Sequence, residues 1–173
     1  ITELPLAHVA PEFGTPGLEH RLQLALGSVG LRDNDLIQAS TVLGLELHQH
    51  DRRTYEPYNN HLLRVALRLI EELGIVDPET IASAPVHDGI EDHPQLLVVR
   101  YLDRIPPADP HTLHALGREA LGVFASRHEA SSLADIVFDV STPPPLSRET
   151  KQAEYIDFVT RLMNEGDARS RAL

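Results

Sequence analysis

Residues 61–92 read HLLRVALRLIEELGIVDPETIASAPVHDGIED, from His61 to Asp92, and the fold turns on this stretch. Leu62, Val65, Ala66, Leu69, Ile70 and Leu73 recur at steps of three and four, which places them on one face of a helix over 61–73. Gly74 stands where such a helix stops. Asp77-Pro78 is a cap followed by a proline at the first helical position, so a second helix is expected over 81–92. It ends in His87-Asp88-Gly89-Ile90-Glu91-Asp92, four ionisable side chains in six residues. In a continuous helix His87 and Glu91 share a face, as do Asp88 and Asp92. Pro85 lies inside this helix and is expected to kink it or delay its start. An imidazole beside three carboxylates suits a hard or borderline divalent metal, Mn, Fe, Mg or Zn. His61, at the head of the preceding helix, is the second imidazole.

The flanking sequence reads as helical scaffold. A short helix is expected over 17–29, and a longer one over 33–50 with Asp33 or Asn34 as cap. Residues 54–60 are a turn, 96–105 a short apolar element, and 111–126 and 133–140 helices. Ser131-Ser132 is a candidate cap for the latter. Ser141–Ser147, with three consecutive prolines, reads as a loop before a last long helix over 148–164, and residues 168–173 begin a further element. Residues 1–17 hold Pro5, Pro11, Gly14, Pro16 and Gly17 and read as an irregular arm. The expected architecture is therefore all-α, an arm over 1–17 and one domain over 18–173. His111, His114 and His128 are expected on surface faces.

Composition narrows the function classes. The 173 residues are 42% hydrophobic and 5% aromatic with no Trp, which favours packed helices over a β-sandwich. A net charge of −11 argues against a nucleic-acid or anionic-membrane surface, though a metal ion can reverse the field within one pocket. With no cysteine, disulfides, thiolate metal sites and thiol catalysis are excluded. A reducing cytoplasm fits this usage. No apolar run approaches the ~20 residues of a membrane span.

His61, His87-Asp88 and Glu91-Asp92 together resemble the HD-domain metal-dependent phosphohydrolases. The stretch RRTYEPYNNH from Arg52 to His61, followed by Val65-Ala66, resembles the start of the RelA/SpoT-type alarmone hydrolase domain: an Arg nine residues before the first ligand His, and Pro-Tyr just before it. HDGIED fits that branch's HDxxED motif. Phe124, Asp135-Ile136-Val137 and Val140-Ser141-Thr142 are similar to its later apolar helix ending in a Val-Thr pair. The resemblance covers roughly residues 35–173.

The resemblance implies an HD helical bundle in which His61, His87 and Asp88 bind one Mn²⁺; ligand type alone leaves Fe, Zn or Mg open. It implies that Glu91 and Asp92 position or deprotonate the attacking water, and that Arg52 holds the nucleotide with His48 and Tyr58 beside it. The reaction would be hydrolysis of the 3′-pyrophosphate of guanosine tetra- or pentaphosphate. An HD phosphohydrolase of another nucleotide, or an HD-fold nucleotide-binding module without catalysis, are the alternatives. The only partner implied is a small anionic nucleotide. Two departures stand out: Pro85-Val86 replaces the family's Leu-Leu, and the family's later Asp, which completes the metal site, either lies beyond Leu173 or is lacking. Asp139 and Asp167 do not fit its pattern.

Overall fold

The computed structural model describes residues 1–142, 144 and 151–173, the side chain of Lys151 excepted. It is all-α but for one two-stranded hairpin among those residues. Most of the loop expected over 141–147 and the expected helix start at Arg148 lie outside the described residues. Contacts group the chain into two compact units, Ile1–Val86 and His87–Leu173.

In the first unit, α1 spans Leu6–Ser28, so the expected irregular arm is helical from Leu6 onward. Gly14 interrupts it with φ 67, a left-handed backbone that glycine adopts without Cβ strain. Pro16 then falls in the first turn of the resumed helix, where a missing N–H breaks no bond. α2 (Asp35–Leu47) starts at Asn34, whose side chain accepts from the Ile37 amide at 3.0 Å. Arg52–Arg53 and Glu56–Pro57 pair antiparallel across Thr54-Tyr55 as β1 and β2, and all but β1 falls in the segment 54–60 read as a turn. α3 (Asn59–Glu71) follows, and Gly74 reverses the chain after it at φ 64, as its position in the sequence implied.

α4 covers only Pro78–Ser83, capped by Asp77, which accepts from the Thr80 amide at 2.9 Å. A 3₁₀ turn, Ala84–Val86, continues it. The expected single helix over 81–92 is thus corrected to two short helices and a turn. The cause is Pro85: it has no N–H to donate back to Ile81, so the chain tightens there rather than continuing as α-helix.

α1 packs on α3, while α2 packs on α4 and on the 3₁₀ turn, which also rests on α3. Leu18, Leu22, Leu26, Ile37, Leu43, Leu62, Leu63, Leu67 and Ile81 are fully buried between them. Each such side chain contributes about 1.5–3 kcal/mol on leaving water, against about 0–1 for an exposed ion pair, so this core holds the unit. One ion pair is built differently. Arg21, 7% exposed, gives Glu71 two bonds of 2.8 and 2.7 Å and donates to the Leu4 carbonyl at 2.5 Å, joining α1 to α3 and to the N-terminal residues.

Gly44 marks the closest approach of α2 to the turn: a Cβ there would fall inside the carbonyl of Pro85. Backbone cannot yield as a flexible side chain can. Gly44→Ala is therefore expected to cost about 1–3 kcal/mol, seen as a lower urea midpoint at unchanged slope. A variant as stable as the parent would disprove the close approach.

The second unit begins at His87. α5 (Gly89–Asp92) is a single turn, and His93 separates it from α6 (Pro94–Leu102), with Pro94 at the first helical position. α7 (Pro110–Ser126) is capped by Asp109, which accepts from the Thr112 amide at 2.8 Å. α8 (Leu133–Val140) has the expected bounds, but the Ser132 side chain makes no capping bond. α9 (Lys151–Glu165) and α10 (Ala168–Ala172) complete the unit. α7 is its centre, packed against α6, α5 and α8. Ile90, Leu97, Val98, Ala120, Leu121, Leu133 and Val137 form the core. Among the described residues no helix is long and apolar enough to cross a membrane.

Candidate functional site

The first unit gathers four of the expected residues around its hairpin. α2 runs out at His48, which is 1% exposed, and the chain doubles back so that the Asp51 amide donates to the His48 carbonyl at 3.0 Å. His48 Nδ1 lies 2.8 Å from Asp51 Oδ2. Such a carboxylate holds an imidazole in one tautomer and one orientation. Tyr58 stacks on the His48 ring, centroids 4.6 Å apart and planes at 12°, and meets His61 edge-on at 5.6 Å. His61 sits in the first turn of α3, half-buried.

Arg52 is on β1 and exposed; it is Arg53 whose guanidinium lies over the Tyr58 ring, 5.0 Å from its centroid. Arg64 clamps Glu56 with bonds of 2.5 and 2.8 Å, and Asn60 adds a third at 3.0 Å. The Arg64 bonds, above all, hold the Glu56 carboxyl below its ordinary range. This pins β2 to α3, and with it the loop carrying Tyr58.

The second unit carries the acidic residues. His87 and Asp88 are half-buried, and His87 Nε2 lies 3.0 Å from Asp88 Oδ2. They precede α5 rather than lying within a long helix, although Asp88 keeps a helical backbone at the head of that turn. The Asp92 amide donates to the Asp88 carbonyl at 2.9 Å, the bond of one helical turn, so these two keep the expected spacing. The Glu91 carboxylate accepts from the Thr142 backbone amide, 51 residues later. Packing around that carboxyl pushes its pKa up, and the charges of Asp88 and Asp92 push the same way; the Thr142 bond opposes them. Glu91 as a residue is exposed, like Asp92 on the same turn, so the loss of hydration is confined to its carboxyl group.

A cavity of about 590 Å³ opens beside Glu91 and Asp92 within this unit, and His114 of α7 lines it. His114 is 6% exposed, which corrects its expected surface position. Burial, together with the nearby His111, holds its pKa below the ordinary value. The signal was in the sequence. His114, Gly117, Leu121 and Phe124 recur at three and four, and all are buried on one face of α7.

Two sets of histidine and carboxylate side chains among the described residues have the donor types to hold a cation. One includes His48 and Asp51, the other His87 and Asp88. No family model, no curated protein and no solved structure matches the chain.

Proposed function

We propose that this protein is a metal-dependent phosphohydrolase of the HD type, and that its substrate is guanosine tetra- or pentaphosphate, cleaved at the 3′-pyrophosphate. The observation that carries the reading is the His87–Asp88 pair. Its ligand atoms are 3.0 Å apart, and Glu91 stands one helical turn beyond. Two donors bonded to one ion at about 2.1 Å lie roughly this far apart, so imidazole and carboxylate fit a shared divalent cation. His61 would be the third ligand.

When bound, the metal ion, Mn²⁺ on the resemblance, would polarise the phosphoryl oxygen and acidify water. The remaining work falls to side chains. Glu91 accepts the proton of the attacking water, a role suited to a carboxylate whose proton affinity is raised. Asp92, on the same turn, orients that water. Arg52 is reachable from solvent for the anionic nucleotide, and Tyr58, held by the His48 stack, stands on the same hairpin loop.

The test is release of pyrophosphate from guanosine tetraphosphate by the metal-stripped protein, then with Mn²⁺, Fe²⁺, Zn²⁺ or Mg²⁺ restored. Turnover that requires the metal is expected, with Mn²⁺ best. Turnover of a different nucleotide alone would replace the substrate and keep the reaction class. Activity indifferent to chelation would sink the metal-dependent reading.

A further inference from the structure

We infer that the cavity lined by Glu91, Asp92 and His114 is a binding site for an uncharged group rich in N–H and O–H donors: the nucleoside half of the substrate, not its phosphates. The choice of a nucleoside rests on the hydrolase reading; the chemistry of the cavity does not.

The volume, about 590 Å³, is within the range of small-molecule sites. Its polar wall comes from Glu91, Asp92, Gln95, His114 and Thr142, and no Lys or Arg is among the described residues lining it. Without the metal ion, two carboxylates with no Lys or Arg among the described lining residues disfavour a phosphate and accept hydrogen bonds from hydroxyl and amide groups. Ile90, Pro94, Pro110 and Leu113 supply apolar surface for a base.

His114 is the second, independent observation. Its Nε2 is shielded from solvent and has no hydrogen-bond partner among the described residues. A buried polar atom left in that state is costly, and native structures rarely leave one without a reason. On one side the ring meets Phe138, centroids 5.2 Å apart. One turn further along α7, a Cβ at Gly117 would come within 3.3 Å of Pro94 and 3.4 Å of Ile90, so α7 is seated tightly on the start of α6. A neutral imidazole offers one donor and one acceptor, and a sugar hydroxyl or a purine amide can answer either. Nε2 is closed to water, so a ligand in the cavity that His114 lines reaches it only as the ring turns toward the cavity, and that turn would relieve the unmet bond.

The experiment titrates the metal-free full chain with guanosine, inorganic pyrophosphate and spermidine while following the histidine ring signals by NMR. The His114 signal is assigned by its loss in His114→Phe. Guanosine is expected to shift that signal saturably, and pyrophosphate and spermidine to leave it in place. His114→Phe, which keeps a flat ring without polar atoms, should bind guanosine about tenfold more weakly, and His114→Gln within about threefold of the parent. If His114→Phe fails to fold, the shift in the parent and the affinity of His114→Gln carry the test.

The proposal is overturned if guanosine leaves the His114 signal unmoved, or if His114→Phe binds it as well as the parent. It is overturned equally if pyrophosphate or spermidine moves the signal in guanosine's place. The two readings fail separately. Guanosine bound at His114 without hydrolysis of guanosine tetraphosphate sinks the hydrolase and keeps the site. Hydrolysis with no guanosine at His114 does the reverse.

Discussion

Replacing His87 by Ala is expected to lower metal-dependent kcat/KM for guanosine tetraphosphate by about 10³-fold or more, equivalent to roughly 4 kcal/mol of transition-state stabilisation. The argument is one of ligand count. Two imidazoles and one carboxylate are proposed to hold the ion; removing one imidazole leaves a weaker site with an open position. His87 is half-buried in the bend between the 3₁₀ turn and α5, outside both cores, so its loss should cost the fold little. Mn²⁺ binding followed by calorimetry should weaken in parallel with turnover, while the urea midpoint stays near that of the parent. Turnover within about tenfold of the parent, with metal affinity intact, would remove His87 from the site and the HD reading with it.

Glu91→Gln should lower kcat by about 10²–10⁴-fold, the usual contribution of a positioned general base, with KM little changed. The same variant tests the pH dependence. Partial loss of hydration at the carboxyl of the otherwise exposed Glu91 raises its pKa, and only its ionised form can accept a proton. The rate of the parent should therefore fall as pH drops through a value above the ordinary carboxylate pKa of about 4.3, and that limb should vanish in Glu91→Gln.

Stability carries the opposite sign. A carboxyl whose folded pKa exceeds its unfolded one binds more protons when folded, so it costs stability as pH rises through that window. At pH 7 the Gln variant should be as stable as the parent or slightly more so, since its amide oxygen can still accept from Thr142. A variant both inactive and unstable would mean that Glu91 serves the fold, not the reaction.

Some of this molecule is local, and local features are legible in a string of residues. The 3.6-residue period of Leu62, Ala66, Leu69 and Ile70 marks α3 because burial of one face is written at fixed spacing. Asn34, Asp77 and Gly74 act within three residues of where they stand, so caps and stops could be placed. Pro85 raised the question of a kink, but whether the helix bends or ends depends on neighbours. Here α2 presses on the turn through Gly44, and the backbone changes to 3₁₀. His114 shows a different limit: its spacing was that of a core residue, but a polar side chain weighs against burial until the packing around it is known.

By itself, then, the sequence determined the helical class, most helix ends, the absence of thiol chemistry and a cluster of acids behind one histidine. These follow from periodicity, capping and composition, which act over a few residues. Only the tertiary structure decided that the His87-Asp88 pair sits in a bend, that Thr142 donates to Glu91 from 51 residues away, and that His48 stacks on Tyr58. Only it decided that His114 lines a cavity. Each of those depends on which surfaces meet when helices close-pack. Shape complementarity between segments distant in the chain sets that, and no short window of sequence contains it.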